Sequence, residues 1–150
     1  MTIAIFGNTL RSQTIREVKH IIEFLQLRGV NIVLSHELRQ EAFTREFPSV
    51  EDYSAHADET IDFALSVGGD GTFLTTASQV GHMDIPILGI NCGHLGYLAE
   101  VQTDNIDVVL DQLISNKYTI EQRRMLEVKW HLHLRCVRFT GGTSSHLRAK

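Results

Sequence analysis

Short apolar runs alternate with helix-like segments along most of this chain, and that order restricts the fold more than any other property of the sequence. Thr2 to Phe6 is apolar and ends at Gly7-Asn8, which predicts a buried strand followed by a turn. Ile15, Val18, Ile21, Ile22 and Leu25 then recur on one helical face; Thr14 with Glu17 forms a candidate capping box, and Gly29 supplies the stop. Val30 to Leu34 predicts a second strand. A helix of this length between two strands is a crossover, and crossovers join parallel neighbours in one sheet.

The same alternation continues. Leu38, Ala42, Phe43 and Phe47 predict a helix over 37–47, closed by Pro48, and Ser49 to Ile61 reads as a polar, irregular surface loop. Asp62 to Val67 predicts a third strand and Thr72 to Val80 a helix, with Thr72 as its N-cap. Ile85 to Ile90 predicts a fourth buried strand, with Pro86 at its start. Thr103 opens a further helix with Ile106, Val109, Leu110, Leu113 and Ile114 on one face, and Asp104 and Asp107 favouring its positive end. After Asn116-Lys117 the period changes to two, with Ile120, Leu126, Val128, Trp130 and Leu132 alternating with polar residues as in a half-buried antiparallel strand. Past Leu132 the pattern breaks down, and Thr140 to Ser145 reads as a linker.

Between the third strand and its helix lies Ser66-Val67-Gly68-Gly69-Asp70-Gly71-Thr72-Phe73-Leu74, a loop almost free of side chains. Glycines let backbone approach a ligand closely, and the first amides of the next helix present donors and partial positive charge to an anion. The loop therefore suits a phosphate. Asp70 would be repelled there unless it has a task, either to take a proton from an attacking hydroxyl or to hold a Mg²⁺ bridging phosphate oxygens. A second loop, Asn91 to Leu98, follows the fourth strand, and in open parallel sheets ligands bind beyond the carboxyl ends of the strands, so both loops are expected to open on one crevice. His36 and His56 read as solvated side chains, Cys92 as a small buried one, and His131 with His133 as a pair lacking a third metal ligand.

Composition excludes several classes. Of 150 residues, 43% are apolar and 21% charged, as in an ordinary globular domain. Two cysteines cannot build a disulfide framework, and no apolar run reaches the roughly 18 residues of a membrane span, so a cytoplasmic protein with no membrane partner is expected. Residues 1–132 carry ten Lys and Arg against eighteen Asp and Glu, and the last eighteen residues carry four basic residues and no acid. The acidic body argues against nucleic acid as a partner.

Two common nucleotide signatures are missing: the Gly-x-x-x-x-Gly-Lys-Ser/Thr loop, and the third glycine of the dinucleotide fingerprint. Gly68-Gly69-Asp70-Gly71-Thr72 instead resembles the motif shared by NAD kinases, diacylglycerol and sphingosine kinases and, more loosely, phosphofructokinases. Leu88-Gly89-Ile90-Asn91-Cys92-Gly93-His94-Leu95-Gly96-Tyr97-Leu98 resembles the Gly-x-Asn-x-Gly-x-Leu-Gly-Phe-Leu pattern of NAD kinases, with Tyr97 where Phe is usual. The second motif of the lipid kinases, a Gly-Thr-Gly-Asn-Asp run, is absent, and Arg123-Arg124-Met125-Leu126 looks like the NAD kinase family's entry into a second, β-rich domain.

That resemblance implies an α/β fold: an open parallel Rossmann-like sheet with flanking helices over 1–117, then the start of an incomplete β-rich domain over 118–150, family-like to about residue 132. It implies transfer of a phosphoryl group from ATP to the 2′-hydroxyl of NAD, giving NADP, with a divalent metal, Mg²⁺. Asp70 is then the general base, Gly68, Gly69, Asp70, Gly71 and Thr72 lie against phosphates and dinucleotide, and Asn91 shapes the same crevice. Where many members carry a basic residue soon after the motif threonine, this chain has Thr75 and Thr76. The tail after Leu132 looks truncated or frame-disrupted, so the chain alone is expected to be impaired, and homo-oligomerisation is expected only with a complete second domain. The alternatives are a non-catalytic nucleotide-binding or subunit-association domain and, third, a lipid kinase.

Overall fold

A computed structural model describes residues 1–56, 61–93, 96–99, 101–128 and 139–149. The predicted strands form at β1 (Thr2–Gly7), β2 (Asn31–Leu34), β4 (Phe63–Gly68) and β5 (Ile87–Asn91), and two-residue strands β3 (Glu51–Asp52) and β6 (Val101–Gln102) are added. All six are parallel, in the order β3-β2-β1-β4-β5 with β6 also on β5. The helices are α1 (Ser12–Gln26), α2 (His36–Arg39), α3 (Asp70–Val80) and α4 (Ile106–Ile114).

Strand periodicity sorts the core into two layers. Ile3 and Ile5 of β1, Leu65 and Val67 of β4, and Leu88 and Ile90 of β5 pack with Val18, Ile21, Ile22 and Leu25 of α1 and Leu110 and Leu113 of α4. Their alternates, Ala4, Phe6, Ala64 and Ile87, pack with Phe73, Ala77 and Val80 of α3 on the other face. A sheet covered on both faces favours strands that are apolar almost throughout, which is why these runs show no polar alternation. Strand β1 pairs with β2 on one side and β4 on the other, so the chain winds outward in opposite directions from the β1/β4 pair.

Several local expectations change. Helix α1 begins at Ser12 with Arg11 as N-cap and no side-chain cap, so Thr14 is not a capping residue; it is fully buried with its methyl against Gly7. Gly29 does stop the helix, at φ 68°, with the Val30 amide returning to the Leu25 carbonyl. The single helix expected over 37–47 is two pieces, because Ser35 caps a one-turn α2 and a 3₁₀ turn, Ala42–Glu46, follows the extended Glu41. The stretch read as irregular loop from Ser49 contains β3 on the edge of β2. Helix α3 starts at Asp70 with Gly69 as N-cap, so Thr72 lies inside its first turn.

Strand β7 (Tyr118–Val128) runs antiparallel to β8 (Phe139–Ala149), with Tyr118 opposite Ala149 and Val128 opposite Phe139. The predicted linker Thr140–Ser145 is therefore strand: pairing with β7 overrides its weak glycine-rich propensity. The hairpin joins the main sheet where His146 meets Ile87 of β5. Trp130, His131, Leu132, His133 and Cys136 lie outside the described residues, as do His94 and Leu95. No helix among the described residues is long and apolar enough to cross a membrane.

Candidate functional site

The site follows from the point at which the sheet reverses direction. In an open α/β sheet, two neighbouring strands whose crossovers leave on opposite faces leave a crevice beyond their carboxyl ends. Here that point is the β1/β4 pair, and a cleft of about 470 Å³ lies there. Its lining comes from three strand ends: Gly7 to Arg11 after β1, Ser35 and Glu37 after β2, and Gly68, Gly69, Gly71 and Thr72 after β4. Thr75, Thr76 and Gln79 of α3 complete one wall.

Close packing shapes the first loop. Gly68 has φ 158°, and a Cβ there would sit 2.8 Å from the Thr72 Cβ, so only glycine lets the strand turn into the helix at this point. Thr72 is consequently pressed against Gly68 and lines the cleft instead of capping the helix. No side chain caps α1 or α3, and both helices start at the cleft lining, from Arg11 and Gly69.

The second loop starts beside the first. Gly68 and Asn91 are paired in the β4/β5 register, and the Cys92 amide donates to the Gly68 carbonyl at 3.2 Å. Asn91 is buried, and its Oδ1 accepts from the Gly93 amide at 2.9 Å, so this oxygen shapes its own loop. Asn91 is not among the residues lining the cleft.

Asp70 also lies off the cleft lining, and its contacts show what it does in this conformation. Its Oδ2 accepts from the Tyr97 amide at 2.9 Å, and its Oδ1 accepts from the amides of Leu98 at 2.9 Å and Ala99 at 3.3 Å. Gly96 makes this approach possible, since a Cβ there would lie 2.7 Å from the Asp70 Cγ. The Tyr97 amide, then that of Leu98, hold the carboxyl below its ordinary value of 3.8 against a smaller opposing effect of burial, with Ala99 adding to them. Asp70 is thus ionised at neutral pH and clamps the first glycine loop to the second. Three of roughly four lone-pair positions are occupied, which leaves limited capacity for a further donor.

The Cys92 thiol is pushed up to about 11, by burial first and then by Glu17, so it is no nucleophile at neutral pH. His36 bonds through Nδ1 to Asp52 Oδ2 at 2.9 Å, away from the cleft lining. Among the described residues no three His, Cys, Asp or Glu side chains gather as a metal cage. A Mg²⁺ held mainly by nucleotide phosphates needs none, because that ion keeps most of its waters and takes one or two carboxylates.

Sequence reasoning missed the contribution of Gly7 to Arg11, of which only Gly7-Asn8 was read, as a turn. A glycine turn at the carboxyl end of a strand beside β4 has to border the same crevice, but that β1 is this neighbour is set by the strand order of the sheet.

The comparisons agree with this architecture. Residues 3–118 match the family model described as the ATP-NAD kinase N-terminal domain. The chain is 36% identical over 135 residues to the NAD kinase of Flavobacterium psychrophilum, covering 86% of this chain and 45% of that one. It is 33% identical over 129 residues to the NAD kinase of Methanothermobacter thermautotrophicus, covering 85% and 44%. A crystal structure of yeast NADH kinase complexed with NADH superposes with a TM-score of 0.76 at 20% identity, over 94% of this chain and 46% of that one, which shows a shared fold. The chain spans about 45% of the length of its relatives.

Proposed function

Because the chain belongs to the ATP-NAD kinase N-terminal domain family, we propose that its cleft takes part in phosphoryl transfer from ATP to the 2′-hydroxyl of NAD, giving NADP. The observation that supports this reading best is the position of Gly68, Gly69, Gly71 and Thr72 on the lining of a cleft at the sheet's reversal point. Backbone amides with no side chain in the way can approach phosphate oxygens, and phosphoryl transfer asks a protein chiefly for positioning and charge stabilisation. Asp70 is the general base of this proposal: its lowered pKa keeps it ionised, as a proton acceptor must be. To take a proton from a ribose hydroxyl it has to use its remaining lone-pair position or exchange one of its amide partners at Tyr97, Leu98 or Ala99. Asn91 acts from behind, by holding the shape of the second loop.

A divalent metal belongs to the same proposal and would supply charge neutralisation on the phosphates. A cytoplasmic setting is part of it too, and the low cysteine content is consistent with that compartment. Homo-oligomerisation belongs to the proposal only for a protein with a complete second domain.

The test combines calorimetric titration of NAD and ATP with an assay of NADP formed from NAD, ATP and Mg²⁺. Turnover abolished by Asp70→Asn supports the whole reading, and turnover indifferent to that change removes Asp70 as the base. Binding of both nucleotides with little or no NADP formed is expected of a chain impaired on its own, and equally of a non-catalytic nucleotide-binding domain. Absence of any binding at about 1 mM ligand refutes the proposal.

A further inference from the structure

The cleft carries two side chains of opposite charge, and their placement divides it. The α3 wall is uncharged: Thr72, Thr75, Thr76 and Gln79. Among the described residues Arg11 is the one cation on the lining and Glu37 the one carboxylate. Arg11 is exposed at the start of α1, and among the described residues its guanidinium has no carboxylate partner. It also reaches the second glycine loop, since its Nη1 would lie 3.6 Å from a Cβ at Gly93. A guanidinium with no carboxylate partner among the described residues thus lines the cleft within reach of the second glycine loop, and the α3 wall of that cleft offers only hydroxyls, an amide and backbone.

We propose that Arg11 binds the polyphosphate of the nucleotide in this cleft, with the phosphates at the Arg11 end and Glu37 repelling them from the β2 end. The physical case is that a polyphosphate cannot be held by backbone amides alone without leaving most of its charge uncompensated. Guanidinium matches phosphate oxygens in pairs, and those charge-assisted bonds are about twice as strong as neutral ones. Among the described residues no other lining side chain carries a positive charge. The inference rests on the nucleotide reading above but needs no turnover, so the two can fail separately.

The test is calorimetric titration of the whole chain and its variants with inorganic tripolyphosphate, and with adenosine as an uncharged control. Arg11→Ala is expected to weaken tripolyphosphate binding roughly tenfold or more while leaving adenosine unchanged, and Arg11→Lys to recover part of the loss. Glu37→Gln is expected to tighten tripolyphosphate binding about twofold to fivefold, an effect that a purely structural role for these side chains would not produce. Circular dichroism checks that the variants fold. Tripolyphosphate binding to Arg11→Ala within about twofold of the parent overturns the inference and leaves the kinase proposal standing. Arg11-dependent tripolyphosphate binding upholds it whether or not NADP is formed. Failure of the parent chain to bind tripolyphosphate at about 1 mM overturns it outright.

Discussion

The Asp70 clamp makes a prediction that can be worked through from distances. Replacing Asp70 with Ala removes an ionised acceptor from the amides of Tyr97, Leu98 and Ala99, at 2.9, 2.9 and 3.3 Å. A hydrogen bond to a charged group contributes about 1.5–3 kcal/mol when well buried. This carboxylate is partly exposed and Tyr97 is 92% exposed, so the freed amides turn to water and the net loss is about 1–2 kcal/mol for the set. In a chain of this size that lowers the melting temperature by roughly 2–8 °C. Gly96→Ala strikes the same clamp from the other side, because its Cβ would lie 2.7 Å from the Asp70 Cγ and 2.8 Å from Oδ2. The carboxylate has to leave, and the cost is again about 1–2 kcal/mol. The double variant then loses little beyond Asp70→Ala alone, a coupling of about 1–2 kcal/mol where independent sites would simply add.

Urea unfolding followed by circular dichroism measures all four proteins. The pH dependence gives a second check with a definite sign. Since the folded carboxyl lies below 3.8, the clamp stabilises fully above that pH and is lost as pH falls through the lower folded value. The stability gap between the parent and Asp70→Ala is therefore constant from about pH 7 to pH 5 and closes below pH 3.8. Additive costs for Asp70→Ala and Gly96→Ala, or a gap that widens in acid, would refute the reasoning.

Two further outcomes are expected. In a Cys136→Ser background, the Cys92 thiol at about 11 is ionised to roughly one part in a thousand at pH 8, so an aromatic disulfide reagent should label the folded chain at least about a hundredfold more slowly than the urea-unfolded one; equal rates would show that the thiol is not buried as described. Arg28 joins α1 to α4, with its Nε 2.8 Å from Asp111 Oδ1 and its guanidinium 3.4 Å from the Phe24 ring centre. Arg28→Ala should cost about 1 kcal/mol, and Asp111→Asn should cost almost nothing once Arg28 is gone.

Much of the fold is legible along the chain because its main determinants are local. The apolar runs at Thr2–Gly7 and Phe63–Gly68, the helical face from Val18 to Leu25, and the Gly29 stop each follow from periodicity or a backbone requirement that neighbours in sequence can reveal. The capping assignments at Thr14 and Thr72 failed for a shared reason. Both threonines have the right chemistry for a cap, but each is committed to packing on a glycine of the preceding strand end, Gly7 and Gly68, and nothing in sequence spacing shows that contact. Strand β8 was hidden in the same way, since Thr140 to Ser145 acquires its extended form from pairing with β7.

The Gly68–Thr72 loop shows where the division falls. By itself the sequence determined that a flexible, donor-rich loop joins a buried strand to a helix, and that Asp70 sits in its middle, because those properties belong to residue types and their order. Only the tertiary structure decided that Gly7 to Arg11 borders the same cleft and that Asp70 turns to the amides of Tyr97, Leu98 and Ala99. The direction of a carboxylate depends on which donors the fold brings within 3 Å or so of it, and those donors lie 27 to 29 residues away along the chain.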